Sequence, residues 1–423
     1  MFSFNIKFMK IALTAKTRLN LEFFLVSILL LFSFGFTLYQ NLTINHRHHY
    51  GLLAKSYLEL RTDIQEGGDR YLDTIKGRDG RYYYINDPLP GVLMMPFVLL
   101  GGALVSQGYL DFLVTLTSAF LVWKILGRKV KLTLKLWLIL IFFFASNMVS
   151  VIWSPHPWFL AQNIAVMWVL WLIYEWQNKK RTAVLFIALL MLVLTKKMMI
   201  LPIAAYFFLD SLIFPEEIWK RVRRLGFMTC AVIAGILILW NYQRIGVEEK
   251  VLLNFYNYAH VESTLVEKVK KYGFWSTAYF PTNFVNYFLA GPVIVREETA
   301  NPYGDLSRQI APPYLYPPLE GISFFFLGPV FLSLIFLPLP GFKKTLPILG
   351  AFLVWAGTYL TYNASGAVQF GSRYGAEAVP YLFLLLIYAL STNFTYRAKI
   401  VVIGSIFMNM FLFRQLLSFF MNP

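Results

Sequence analysis

Long apolar runs recur along the whole chain, at 21–39, 90–104, 107–126, 134–152, 158–175, 183–213, 225–240, 319–337, 346–362, 379–390 and 400–418. Most approach the roughly 20 residues that a helix needs to cross a bilayer. They do not break into the short alternating segments that build a membrane barrel. Two long polar segments, 40–89 and 241–317, separate groups of runs, and the other connections are short. The pattern predicts an all-α polytopic membrane protein, with residues 1–423 as one membrane domain.

The polar connections differ in charge, and the difference orients the runs. Lys7, Lys10, Lys16 and Arg18 precede the first run. Further basic sets are Lys124, Arg128, Lys129, Lys131 and Lys135; Lys179, Lys180 and Arg181; Lys220, Arg221, Arg223 and Arg224; Lys343 and Lys344; Arg397 and Lys399. Basic loops stay on the cytoplasmic side, so an even number of crossings separates one set from the next. Run 90–104 is short, contains Pro96 and ends in Gly101 and Gly102. It fits a helix lying at the outer surface better than a crossing. Run 183–213 joins two basic loops and is interrupted by Thr195-Lys196-Lys197, which predicts a hairpin with its tip near Lys196. Each arm would be roughly 18–25 Å long, less than the ~30 Å hydrocarbon layer, so the tip would sit in a recess with two ammonium groups. The count comes to about eleven crossings. The N-terminus is placed inside, and 40–106 and 241–317 are two extramembrane loops outside. An integral membrane protein that crosses the bilayer many times is expected.

Composition agrees with this class: 58% of the 423 residues are hydrophobic, 18% are aromatic and 14% are charged. The net charge of +16 is accounted for largely by orientation, so no nucleic-acid partner is needed. Cys230 is the sole cysteine, which excludes an internal disulfide and a cysteine-based metal site.

Within the first outer loop, Asp79-Gly80 marks a turn between two strand-like pieces, the second at 81–85, and Pro88, Pro90 and Gly91 end it. His46, His48 and His49 lack the spacing with carboxylates that a metal site requires. The stretch 362–380, YNASGAVQFGSRYGAEAVP, is polar and Gly-rich between two apolar runs, and Arg373 and Glu377 lie at the mouth of a membrane helix. Ionisable groups there are costly and usually have a partner or a task. Gln369, Arg373 and Tyr374 in one short loop point to a site that grips an anion. Lys196, Lys197, Asn241 and Arg244 fall on the same side. A phosphate would need cationic donors such as Lys196, Arg244 and Arg373. No nucleotide-binding signature stands in the inner loops, whereas a lipid-borne donor on the outer side fits.

Several segments resemble GT-C superfamily glycosyltransferases, in particular bacterial membrane proteins related to family 39, the protein mannosyltransferase-like group. They are His49-Tyr50-Gly51-Leu52-Leu53-Ala54; Asp79-Gly80-Arg81-Tyr82-Tyr83 with Pro88-Leu89-Pro90-Gly91 and Leu93-Met94-Met95-Pro96-Phe97; Asn241-Tyr242-Gln243-Arg244-Ile245-Gly246; and Gln369-Phe370-Gly371-Ser372-Arg373-Tyr374 with Pro380. The resemblance implies a GT-C-like bundle and a polyprenyl-phosphate-sugar donor. It implies sugar transfer to a glycan, lipid or protein acceptor outside the cytoplasm. It also implies a catalytic carboxylate in the first outer loop and leaves room for a divalent cation. GT-C enzymes usually carry that Asp just after the first helix, where this chain reads Asn45-His46-Arg47-His48-His49. His49, Asp87, Glu59 and Asp63 are therefore the candidate bases. Two other classes compete: a transporter or flippase for a lipid-linked or anionic substrate, and a membrane subunit without chemistry. A transporter should repeat its broken helix in both halves, and the break at Lys196 has no counterpart in the sequence.

Overall fold

The computed structural model describes residues 15–44, 48–65, 74–76, 79–84, 86–154, 156–178, 181–213, 268–269, 271–294, 315–318, 320–337, 341–363 and 369–421. The expected run 225–240, with Cys230, Asn241 and Arg244, lies outside them. The described chain is predominantly helical. The helices that frame the site are α1 (Ala15–Thr43), α2 (His49–Leu58), α3 (Leu89–Gly101), α4 (Gly108–Leu126), α5 (Leu132–Phe144), α6 (Val149–Ile152, one turn), α7 (Pro157–Asn178), α8 (Thr182–Lys196), α9 (Ile200–Ile213), α10 (Phe342–Leu360), α11 (Val379–Asn393) and α12 (Tyr396–Met421).

Six stretches among the described residues are long and apolar enough to cross a membrane: Leu19–Thr43, Gly108–Leu126, Pro157–Asn178, Thr182–Ile213, Arg373–Leu390 and Tyr396–Leu417. Such helices fit an integral membrane protein in a lipid bilayer. The expected count of about eleven is not confirmed: run 225–240 lies outside the described residues, 182–213 enters the six as one stretch although it folds back, 346–362 is not among them, and two further runs are broken. Run 134–152 stops at Phe144, turns through Ser146 and Asn147, and resumes as the single turn α6. Run 319–337 divides at Gly328 and Pro329 into Phe324–Leu327, a 3-10 turn Pro329–Leu332 and Ser333–Phe336. Proline has no N–H to continue the helix. Asn409 of α12 makes up for both breaks: its Nδ2 donates to the carbonyls of Phe144 (3.0 Å) and Leu327 (2.9 Å), satisfying groups that helix ends leave open.

The segment 40–106 leaves and re-enters the bundle at one point. Ser106 Oγ donates to the Asn41 carbonyl (3.3 Å), and Asn41 Nδ2 donates to Asp111 Oδ2 (3.2 Å). Gly108 makes this approach feasible, since a Cβ there would overlap the backbone carbonyl of Asn41. Gly108→Val is expected to cost about 3 kcal/mol or more, because backbone cannot move aside as a side chain can. A melting curve of the solubilised protein checks this; an unchanged Tm would show that α1 is free to shift. Between the two helices, α2 packs on α3, and a short hairpin of β1 (Thr74–Lys76) and β2 (Tyr82–Tyr84) covers them. Its turn is the expected Asp79-Gly80: Gly80 has φ +80°, and Asp79 accepts from Arg81 N (3.1 Å) and the Tyr83 hydroxyl (2.7 Å). Burial, and then the Asp79 carboxylate, push the Tyr83 phenol up to about 12. At 13 residues with Pro96 inside, α3 is too short to cross a bilayer.

The chain folds back at Lys196. Its backbone is extended there (φ −162°, ψ 91°), and a 3-10 turn, Lys197–Met199, leads into α9. Near one end of α7, Gln162 bonds Glu377, which pairs with Lys196. Near the other end, Trp176 Nε1 donates to Asp210 Oδ2 at 2.8 Å, and Gln177 Nε2 donates to the Tyr206 hydroxyl at 3.1 Å. Gln162 and Trp176 are about 21 Å apart along α7. A straight helix through 182–213 would carry Asp210 a similar distance beyond Gln162, not to Trp176. Arms of 15 and 14 residues are about 22 and 21 Å long. α9 then packs along α10, where Gly350 admits the Leu209 side chain.

Candidate functional site

The site is assembled where the tip of the α8–α9 hairpin meets residues 369–378. That stretch is a fixed turn. Gly371 pairs with Ile322 in an isolated parallel bridge, Ile322 N donates to the Phe370 carbonyl (2.9 Å), and Ser372 N donates to the Ile322 carbonyl (3.3 Å). Gln369 Nε2 donates to the Glu320 carbonyl (2.6 Å), and its Oε1 accepts from Arg373 N (3.2 Å). Gln369 thus holds the loop rather than opening to solvent. Phe370 anchors it, buried edge-on against Phe413. Gly371 and Gly375 run so close to Asn147 that a Cβ on either would meet its side-chain amide, and that amide donates to the Ser372 carbonyl. The Gly-rich spacing of the stretch is therefore a packing requirement. The 3-10 helix Arg373–Ala378 follows and feeds α11.

Two cations converge on one ring. Lys196 Nζ lies 4.7 Å from the centroid of Tyr374, and the Arg373 guanidinium lies 5.0 Å from the same centroid and 5.6 Å from that of Trp158. Arg373 Nη2 also donates to the Tyr374 hydroxyl at 3.3 Å. Tyr374 is held by stacking on Tyr359, with centroids 4.8 Å apart and planes 19° apart, and by Trp355 Nε1 donating to its carbonyl at 3.0 Å. Cation–π contacts of this kind are worth about 0.5–2 kcal/mol, more when desolvated. Beneath the ring, Lys196 Nζ lies 3.2 Å from Glu377 Oε1, and Gln162 Nε2 donates to the same oxygen at 3.4 Å. Glu377 is fully buried, and Lys196 is 20% exposed. Beside them Lys197 Nζ lies 3.7 Å from Asp87 Oδ1, which joins the first loop to the hairpin tip.

The four candidate bases are thereby separated. Asp87 is at the tip, partly exposed. His49 is fully buried on α2, with its ring edge-on to Tyr84 at 5.2 Å. Asp63 is buried and bound by Arg61 (3.2 Å) and Arg81 (3.9 Å), and the exposed Glu59 is tied to the same Arg61. Those two acids brace the loop around an arginine. Among the described residues no group of three or more His, Cys, Asp or Glu could hold a metal ion, and Asp87 faces a lysine. They do not fit the divalent cation that the resemblance left room for.

Three residues of the site escape a reading of the sequence as loops and runs: Gln162, Tyr359 and Trp158. The available signal is a polar residue within an apolar run, as at Gln162 and Asn163. The same signal marks Asp111 in α4. Asp111 is fully buried and accepts from Asn163 Nδ2 at 2.8 Å and from Asn41 Nδ2 at 3.2 Å, a polar clasp between α1, α4 and α7.

A groove of about 550 Å³ lies next to the cations. Met198 and Leu201 at the start of α9, Val354, Gly357, Thr358 and Thr361 on α10, and Trp275 line it. It is open at Gly357, where an added Cβ would touch nothing within 4 Å. Trp275 is 5.7 Å from Tyr362, and Tyr362 is 6.0 Å from Tyr374, centroid to centroid. Tyr362 thus lies between Trp275 and the Tyr374 ring that the two cations share. Comparison of the chain with family profiles, with curated proteins and with solved structures gives no match.

Proposed function

We propose that the chain is a glycosyltransferase that moves a sugar from a polyprenyl-phosphate donor to an acceptor on the non-cytoplasmic face of the membrane, in the manner of the GT-C enzymes it resembles. The observation that carries this reading is the convergence of Lys196 and Arg373 on the Tyr374 ring, beside the Asp87–Lys197 pair. Two cationic donors that share one ring suit one phosphate: Arg supplies a planar fork and Lys a point charge. The adjoining groove is mostly apolar and suits the hydrocarbon of the same lipid. Asp87 is the group that takes the acceptor's proton. The bilayer, the lipid donor and a glycan, lipid or protein acceptor are the partners, and a bacterial inner membrane is the setting.

Native mass spectrometry of the solubilised protein tests lipid choice. The protein should retain a polyprenyl-phosphate sugar in preference to the neutral polyprenol. Equal retention of both would remove the anion site from the account. Orientation is tested separately in a background lacking Cys230. Single cysteines at Gly80 and Lys343 should react with an impermeant reagent from opposite sides, as basic-loop parity requires; labelling of both from one side would overturn the scheme.

A further inference from the structure

The turn between α4 and α5 carries charge of one sign. Residues 124–135 hold Lys124, Arg128, Lys129, Lys131 and Lys135, and no Asp or Glu stands between Asp111 and Glu175. Four of the five cations are exposed, as loop charges usually are. Lys135 differs: it lies in the first turn of α5 and is 8% exposed. Among the described residues its ammonium meets the ring of Trp123 on α4, 4.6 Å from the centroid, and no carboxylate. Elsewhere acids answer such cations: Glu175 pairs with Arg181 (2.8 Å), and Glu22 with Lys399 (2.6 Å). Glu22 does reach α5, but there it accepts from Trp137 Nε1 at 2.9 Å. A charge drawn out of water without a counter-charge is costly, and a ring offsets only part of that cost. The ammonium is not sealed off, so the burial falls on its methylene stem. Side chains tilt toward the N-terminus of their helix, which directs Lys135 back over the start of α5. That start is Lys131, whose side chain makes no capping bond, and the first turn holds no acid. The leading N–H groups of a helix have no partner within it and form the positive end of its dipole. Apolar side chains are exposed on both helices nearby: Leu132 in the first turn of α5, and Phe120 one turn before Trp123, with Lys124 Nζ 5.0 Å from its centroid.

We propose that the α4–α5 turn is a binding site for an anionic phospholipid. Lys135, Lys131 and the open start of α5 hold the phosphate, and Phe120 and Leu132 lie along the acyl chains. The ligand is a lipid rather than a free phosphate because the buried cation is set inside an apolar helix, flanked by exposed apolar side chains. Its headgroup lacks an ammonium because the turn has no acid to receive one. Basic residues that only orient a helix need no buried member; Lys135 is what makes this a site rather than a basic loop. Basic pockets between membrane helices are suited to such headgroups. The site is independent of the glycosyltransferase reading, since it shares no residue with the cation pair at Tyr374.

The test uses the full-length protein, delipidated in detergent and titrated with phosphatidylglycerol or with phosphatidylcholine of the same acyl chains. Native mass spectrometry counts the bound lipid. The wild type should bind phosphatidylglycerol about tenfold more tightly. Lys135→Met should remove most of that preference, and Lys135→Arg, which keeps the charge, should retain it. Lys129→Gln discharges an exposed loop position and should change it little. Leu132→Glu sets a carboxylate at the exposed first turn, where the helix dipole favours it. It should abolish the preference by answering Lys135 from within the chain, and it decides the matter if Lys135→Met fails to fold. Equal binding of the two lipids by the wild type would overturn the inference. So would a preference unchanged in Lys135→Met or Leu132→Glu, or equal losses in Lys135→Met and Lys129→Gln. Displacement of the lipid by glycerol 1-phosphate at equal concentration would also overturn it, by making the site one for a free phosphate.

Discussion

Arg373→Ala is expected to weaken binding of a polyprenyl-phosphate sugar by about 10- to 150-fold. A hydrogen bond to a charged group contributes about 1.5–3 kcal/mol, and each 1.4 kcal/mol is a factor of ten. Arg373 is partly buried between Trp158 and Tyr374, so truncation removes ring packing as well as charge. Arg373→Lys separates the two contributions. It keeps the charge and loses the fork, so it should recover part of the affinity. Donor affinity unchanged in Arg373→Ala would reject the role. A fall in folding yield, with donor affinity intact in the fraction that folds, would assign Arg373 to packing alone.

A larger effect is expected on turnover. Removal of a general base typically costs 10²- to 10⁴-fold, and Asp87→Asn should lower the transfer rate by about that much while donor affinity changes little. Asp87 also neutralises Lys197, so Lys197→Met is the control: a mere broken ion pair would give the same loss. His49→Ala addresses the other candidate near the family's motif. Its ring is enclosed against Tyr84, so the expected change is in stability more than in rate. If the His49→Ala, Asp87→Asn double variant transfers sugar at the wild-type rate, the base lies elsewhere and the first loop is not the catalytic one.

Much of this arrangement is legible in the sequence, for reasons that differ by element. The reversal at Lys196 follows from charge, because two basic loops flank one apolar stretch with lysines at its middle. The turn at Asp79 and Gly80 follows from local chemistry, since a residue at φ +80° favours glycine. The breaks at Ser146-Asn147 and Gly328-Pro329 were visible as residues but were outweighed by the hydropathy around them. What makes them tolerable is Asn409, far away in sequence. Lys196 and Arg373 were legible as cations on one side of the chain, whereas their meeting on Tyr374 depends on tertiary packing. Glu377 was visible as a charge at a helix mouth. Its burial against Lys196 and Gln162 is set by three separate elements, and periodicity cannot report such a contact.

The central claim is that this cation pair handles a lipid-phosphate sugar for transfer. The most direct measurement incubates the purified protein in proteoliposomes with a panel of radiolabelled polyprenyl-phosphate sugars and a cell-envelope extract as the source of acceptor, and follows release of polyprenyl phosphate. One donor should be consumed by the wild type, with the rate cut sharply in Arg373→Ala and in Asp87→Asn. Consumption of no donor across the panel by well-folded wild-type protein, or equal consumption by all three proteins, would contradict it.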